Sequence, residues 1–240
     1  MKNKILIYWS LGLLGLIAVV AVGAIAINSK KGLLIGLKGV KKSNKLGTGA
    51  NILFVGDSIT TEFYNGLPTD TYSYLIKHKY LTGRNVDILA LGGMQTSWML
   101  ANLPAQLKLK KYDRVYIWGG VNDIYSNVTA EKATANIQAM VDLVVAQGGE
   151  AYVILGYDTK IFTPDSKLVP TSYVPTVAGM AALRDKYILY QTYLGDTIQN
   201  ATVVPLFELD SSMNSDGIHP TLAAHEIIAQ ELLKGIEYSE

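Results

Sequence analysis

The 240-residue chain has no cysteine. That absence excludes a disulfide framework, a thiolate metal site, a cysteine nucleophile and a lipid-modified N-terminal cysteine. Acidic residues and Arg are missing from residues 1–49, which carry eight Lys and hence a charge of +8. The whole chain has 21 basic and 20 acidic side chains, which leaves 13 basic against 20 acidic, or −7, for residues 50–240. A split of that size describes a basic arm at a membrane or nucleic acid beside an ordinary globular body. The body is about 190 residues, the length of one domain able to bury its own core. Two further motifs are lacking. No Gly-x-Gly-x-x-Gly follows a strand, so there is no dinucleotide fingerprint, and no Gly-x-Ser-x-Gly marks a glycine-elbow hydrolase.

What the arm does contain is an uncharged run of 23 residues from Ile5 to Ile27, with Tyr8 and Trp9 near its start. As a helix it would reach about 35 Å, enough to cross a hydrocarbon core of about 30 Å with some tilt. The run predicts one membrane span, with the two aromatics in the interfacial belt. The competing reading is a cleaved signal peptide, because Ala24-Ile25-Ala26 resembles a small-x-small cleavage site. Against it, secretory apolar regions usually hold only about 7 to 15 residues. Lys2 and Lys4 precede the run, while Lys30, Lys31, Lys38, Lys41, Lys42 and Lys45 follow it. Counted by the positive-inside rule, those flanks place the body in the cytoplasm. Residues 28–49 are rich in Lys, Gly, Ser and Asn and read as a flexible juxtamembrane linker whose lysines attract anionic lipid. A nucleic-acid arm is the weaker alternative, since a membrane span adjoins it and the body is acidic.

From residue 50 onward, short apolar β-rich runs alternate with helical patterns. Strands are predicted at 51–55, 86–91, 114–118, 151–155 and 202–206. The clearest helix is 130–147, with Ala133, Ile137, Met140, Val141, Val144 and Val145 on one face and Gly148-Gly149 at its end. Another is 220–234, with Pro220 as its first residue and Gly235 at its stop. Alternating βα units predict a parallel sheet covered by helices on both faces. Ligands of such sheets bind outside the carboxyl ends of the strands, so reactive residues are expected just after each strand.

That is where they fall. The first strand runs into Gly56-Asp57-Ser58-Ile59-Thr60, which presents a serine hydroxyl and backbone N–H at the open edge of the sheet. The plainer reading is that Ser58 caps a following helix. The second strand ends in Gly92-Gly93 and the third in Gly119-Gly120-Val121-Asn122-Asp123. Backbone N–H groups at glycines and an Asn side-chain amide are suitable oxyanion donors, although each pattern alone is an ordinary turn signal. Near the C-terminus stands Asp216-Gly217-Ile218-His219-Pro220. Serine nucleophiles need an imidazole to take the hydroxyl proton and a carboxylate to hold that ring's tautomer. Asp216 and His219 are spaced to make that contact locally, and Pro220 biases His219 toward an extended backbone. The chain has three histidines; His78 reads as part of a solvated helix face and His225 lies within the last helix.

Taken in order, Gly56-Asp57-Ser58, Gly92-Gly93, Gly120-x-Asn122-Asp123 and Asp216-x-x-His219 resemble the signature of the SGNH, or GDSL-like, hydrolase family. The resemblance covers residues 50–240. It implies an α/β fold, a flavodoxin-like three-layer α/β/α sandwich on a five-stranded parallel sheet, and ester hydrolysis through an acyl-enzyme. By motif match Ser58 would be the nucleophile, His219 the general base and later acid, and Asp216 its orienting carboxylate. The Ser58 N–H, the Gly93 or Gly92 N–H, with Gly93 favoured, and the Asn122 side chain would form the oxyanion hole. Two positions depart from the family pattern: Thr61 and then Glu62 stand where a glycine often follows the first block, and Asn is missing before the paired glycines. Neither removes a catalytic group.

The expected organisation is a transmembrane signal-anchor over residues 1–27, a basic linker over 28–49 and a hydrolase domain over 50–240. Because membrane-tethered members of the family act on acyl groups of envelope glycans or lipids, the resemblance favours an extracytoplasmic body, against the flanking lysines. Cleavage of the signal would make the protein secreted. The favoured activity is release of short acyl groups, acetyl in the first place, from an envelope carbohydrate. Lysophospholipase, thioesterase and acyltransferase activities use the same triad, and a catalytically idle membrane-tethered binding protein is the alternative of another class. Trp98, Trp118 and Tyr125 lie near the second and third blocks and could form a substrate platform, though core packing is the commoner fate of aromatics. Residues 157–173 read as an insertion at the carboxyl edge, a substrate loop or lid. No metal or organic cofactor is implied, although Asp57, Asp123 and Asp216 could be imagined as a metal cluster.

Overall fold

The computed structural model describes residues 46–47, 49–64, 67–68, 70–157, 177–209 and 218–236. The apolar run at 5–27, most of the insertion at 157–173 and Asp216 lie outside them. Among the described residues no helix is long and apolar enough to cross a membrane. Of the linker, Leu46 is buried against the core of the body, and Ala50 N donates to Gly47 O at 3.0 Å.

Five strands form one parallel sheet: β1 (Asn51–Gly56), β4 (Asn85–Ala90), β5 (Arg114–Trp118), β6 (Glu150–Ile154) and β7 (Thr202–Val204). Their order is β4-β1-β5-β6-β7, the flavodoxin-type doubly wound arrangement. Two short strands, β2 (Phe63–Tyr64) and β3 (Leu67–Pro68), pair as a separate antiparallel hairpin after β1. All of the predicted strand positions are occupied within a residue or two. The central strands β1 and β5 are apolar and almost wholly buried, as strands covered on both faces must be.

Helix α1 (Tyr72–Leu75) continues into a wider turn over Ile76–Tyr80, closed by Leu81 N donating to Ile76 O at 2.7 Å. It packs against the last helix, α6 (Leu222–Lys234). Helices α2 (Thr96–Leu109), α4 (Ala130–Ala146) and α5 (Val177–Thr197) pack on one another in series, and the short α3 (Val121–Tyr125) leans on α4 and α5. Two details of the helices differ from expectation. In α4 the stripe through Ala133, Ile137, Met140 and Val144 faces the core, which leaves Val145, one residue or about 100° further round, 42% exposed. In α6, Pro220 is not the first helical residue. Thr221 has extended backbone and caps the helix, its hydroxyl accepting from Ala224 N, so the helix starts at Leu222.

The amino end of the sheet is closed by a buried cation. Arg114 is 0% exposed; its Nε donates to Glu150 Oε2 at 3.1 Å and its Nη1 to Gly235 O, just past α6, at 2.7 Å. Its guanidinium also lies over the Tyr152 ring, 5.3 Å from the centroid. Tyr152 in turn stacks on Tyr116 at 4.7 Å and Tyr116 on Phe54 at 5.1 Å, a ladder of rings that follows the strand register. Each such pair adds roughly 1 kcal/mol beyond its buried area.

Candidate active site

The loops after β1, β4 and β5 and the segment before α6 converge at the carboxyl edge of the sheet, where the strand order switches from β4 on one side of β1 to β5 on the other. After β1 the chain makes one helical turn, with Thr60 N and Thr61 N both donating to Asp57 O at 3.1 and 2.8 Å. Ser58 sits in that turn and caps no helix; the cap of α1 is Thr71. The turn is sewn to α1 by Thr71 Oγ1 donating to Thr61 O at 2.9 Å, Ser73 Oγ donating to Thr60 O at 2.5 Å, and a Thr60 Oγ1 to Tyr72 OH hydrogen bond of 2.9 Å. Four side chains thus hold the end of the turn that carries Ser58.

Ser58 Oγ lies 2.8 Å from His219 Nε2, though 161 residues separate them in the chain. A hydroxyl donating to Nε2 requires the ring tautomer with its proton on Nδ1. The hydroxyl and imidazole are therefore already in proton-transfer contact. Tyr157, buried after β6, donates its hydroxyl to the carbonyl of Ile218 and so fixes the backbone next to His219. Asp216 lies outside the described residues. His78 and His225 are elsewhere. His78 pairs with Glu62, which also takes Lys77 Nζ at 2.8 Å, so of the two residues that depart from the family pattern Glu62 faces a basic stretch, while Thr61 is buried with its hydroxyl 3.5 Å from Ala90 O. His225 is buried, accepts from Tyr72 N at 3.3 Å through Nδ1, and burial lowers its pKa to about 4.

The three expected oxyanion donors lie on the loops after β1, β4 and β5. Neither Ser58 N nor Gly93 N makes a hydrogen bond to the described residues. Gly93 has φ +77° with open space where a Cβ would stand, so its amide is presented on a left-handed turn at the surface. Asn122 Nδ2 faces two acceptors, Met94 O at 3.0 Å and Asp57 Oδ2 at 3.2 Å.

Two buried carboxyls, whose part the sequence alone did not reveal, tie these loops together. Asp57 is 0% exposed, and its Oδ1 accepts from Ile59 N at 3.0 Å while its Oδ2 faces Asn122. Burial pushes its pKa up to about 6, partly offset by the Ile59 N–H and by the positive charge His219 can carry. Asp123 accepts from Thr96 N at 2.8 Å and from Thr96 Oγ1 at 2.6 Å, and Asn136 Nδ2 donates to that hydroxyl at 2.9 Å. Burial raises the Asp123 carboxyl as well. Their oxygens are thus engaged by loop groups of the site. Asn and Asp are common in turns, so sequence spacing carries no sign that these side chains point inward.

The floor beneath is packed, not open. Trp118 is 1% exposed and lies against Tyr72, Tyr157 and Phe207 with ring centroids 5.3, 6.0 and 5.8 Å away. It is core, which removes it from the expected substrate platform, because it ends a strand covered on both faces. Trp98 and Tyr125 are partly buried and also pack against the core. Tyr190 from α5 donates to Gly119 O at 2.8 Å and lies so close to Gly120, φ +111°, that a Cβ there would meet it at 2.3 Å.

A serine hydroxyl bonded to an imidazole, at the topological switch of a parallel α/β sheet and with backbone amides that make no hydrogen bond among the described residues, defines a hydrolase of the acyl-transfer class. Residues 54–227 match the GDSL-like Lipase/Acylhydrolase family, and the chain belongs to that family. It is an ester hydrolase, a serine esterase or acylhydrolase. Among solved structures the fold is similar to Axe2, an acetylxylan esterase from Geobacillus stearothermophilus, with 19% identity, 82% of this chain and 98% of that chain covered, and a TM-score of 0.57. It is also similar to the psychrotrophic esterase EstA from Pseudoalteromonas sp., at 19% identity, coverage of 77% and 95%, and a TM-score of 0.55. TesA is similar at 23% identity, coverage of 77% and 97%, and a TM-score of 0.53. No curated protein matches the sequence.

Proposed function

We propose that the protein cleaves short acyl esters, acetyl foremost, from a cell-envelope carbohydrate, through an acyl-enzyme on Ser58. The observation that carries the chemistry is the 2.8 Å contact between Ser58 Oγ and His219 Nε2. His219 takes the hydroxyl proton as Oγ attacks the ester carbon, with Asp216 as the carboxylate that steadies the imidazolium. The oxyanion is met by the Ser58 N–H, the Gly93 N–H and the Asn122 amide. The imidazolium then protonates the departing alcohol, and water repeats the sequence to release the acid. A fold similar to that of an acetylxylan esterase is compatible with a short acyl group on an acetylated polysaccharide. Residues 1–27 anchor the chain in the membrane and the catalytic domain faces the envelope.

The full-length protein in detergent should hydrolyse aryl acetate faster than aryl octanoate and release acetate from acetylated oligosaccharides. Ser58→Ala should abolish both, together with labelling by a fluorophosphonate; an active Ser58→Ala variant would overturn the assignment. A preference for long acyl chains would transfer the reading to lysophospholipids or thioesters. Protease protection of the body in intact cells would overturn the outward orientation.

A further inference from the structure

The Asn122 side chain has one donor end and one acceptor end of nearly the same shape, and only the donor end can stabilise an oxyanion. Nothing in the Asn122 side chain itself decides which end faces the reaction. The decision is made by its neighbours: Met94 O, from the loop after β4, and Asp57 Oδ2, from the loop after β1, both accept from Nδ2. If the amide turned over, its carbonyl oxygen would face two oxygens, one of them a buried carboxylate.

Resting on the assignment of Asn122 to the oxyanion hole, we propose that Asp57 is a positioning residue that keeps the Asn122 amide donor-end inward and so sets the strength of that hole. Of the two Nδ2 contacts, the one to Asp57 is the longer, 3.2 Å against 3.0 Å, so its proton is the one able to lean toward a forming oxyanion while Met94 O holds the other. A carboxylate is needed here, because Asp57 uses both oxygens. Oδ1 accepts the fixed Ile59 N–H at 3.0 Å, and Oδ2 takes the amide. An Asn at position 57 has a single acceptor oxygen. The backbone N–H claims it, and the new NH2 then opposes the NH2 of Asn122 and drives that amide to turn over.

Asp57→Asn, Asn122→Ala and the double variant, assayed on an aryl acetate at about pH 8, where a carboxyl with a pKa of about 6 is ionised, form a cycle that isolates this action. Asn122→Ala should lower kcat by roughly 10² to 10³-fold with KM little changed. Asp57→Asn should lower kcat by about 10²-fold with KM likewise unchanged, and should add less than about threefold when Asn122 is already Ala. Equal losses from Asp57→Asn in both backgrounds, or a gain in kcat, would overturn the proposal while leaving Asn122 in the hole. No effect of Asn122→Ala would overturn the oxyanion assignment itself. If Asp57→Asn does not fold, the wild-type side-chain amide resonances of Asn122 give the answer. Two slowly exchanging protons, both shifted downfield, support the proposal, and exchange as fast as that of a solvated Asn refutes it.

Discussion

Asp123 holds Thr96 twice, by its backbone N–H at 2.8 Å and by its hydroxyl at 2.6 Å. The bond pair joins α3, just after β5, to the first residue of α2, three residues past Gly93, and Asn136 braces the same hydroxyl from α4 at 2.9 Å. The glycine turn therefore inherits its position from a residue it does not touch.

Thr96→Val keeps the shape and the backbone N–H contact but removes the hydroxyl, leaving Asp123 Oδ1 and Asn136 Nδ2 without it in a buried site. Unfolding free energy in urea should fall by about 2 kcal/mol. Turnover should fall as well, since the turn that carries Gly93 loses its brace.

Gly93 and Gly120 both have positive φ, but their surroundings differ. At Gly120 a Cβ would meet Tyr190 at 2.3 Å. Gly120→Ala should therefore lower stability by at least about 3 kcal/mol, from strain and overpacking together. At Gly93 no atom lies within 4 Å of the added Cβ, so Gly93→Ala should cost only about 1 kcal/mol in thermal unfolding while still disturbing the amide proposed as oxyanion donor. A kcat lowered more by Gly92→Ala than by Gly93→Ala would assign the donor to Gly92.

The Tyr157 hydroxyl steadies the carbonyl next to His219, so Tyr157→Phe should lower kcat roughly tenfold by loosening the imidazole, with a stability loss near 1 kcal/mol. Steady-state kinetics at saturating ester distinguish this from a change in binding, which would appear in KM.

Acid should act on the fold through His225 and Asp57 in opposite senses. His225 is buried and faces the positive charge His219 can carry, so the folded state prefers the neutral ring and its pKa drops from 6.5 to about 4. The unfolded chain binds that proton first, and acidification through this window removes stability. Asp57 is raised from 3.8 to about 6, so the folded state binds its proton first; its contribution is present in acid and lost as pH rises toward about 6. Relative to the parent, His225→Gln should gain roughly 2 to 3 kcal/mol of unfolding free energy between about pH 7 and pH 4.5. Asp57→Asn should change by a similar amount with the opposite sign, and urea titrations at both pH values read the two differences.

The five strands were legible because each is a short apolar run ahead of a glycine or turn, and doubly covered strands need little else. Ser58, Asn122 and His219 were legible from their places after strands and before the last helix. Helices α2 and α5 had no bounds in the sequence for a physical reason. α2 carries Pro104 within it, and α5 faces the core with Tyr187, Tyr190 and Gln191 beside Leu183 and Leu194, a stripe too polar to stand out. The same polarity leaves Tyr190 and Gln191 without a sequence signal, since their hydrogen bonds run to carbonyls at Gly119, Leu155 and Tyr157 rather than to any motif side chain. Asp57 and Asp123 were visible as letters of the motifs, but their work lies in burial, which has no signature in spacing.

Arg114 gives the site a mechanical frame. It sits at the first residue of β5 and grips the carbonyl of Gly235 at the far end of α6, while Asn122 follows the other end of β5 and His219 precedes the other end of α6. The 13-residue helix is about 20 Å long, so it behaves as a lever pinned at its distal end. A slight tilt at the pin, resisted along the helix by α1 and by the bond from Tyr72 N to His225, displaces the segment that carries the imidazole. Heating or a weakened Arg114 grip should for that reason erase turnover while the sheet still stands, with inactivation marking the slackening of one clamp rather than the melting of the protein.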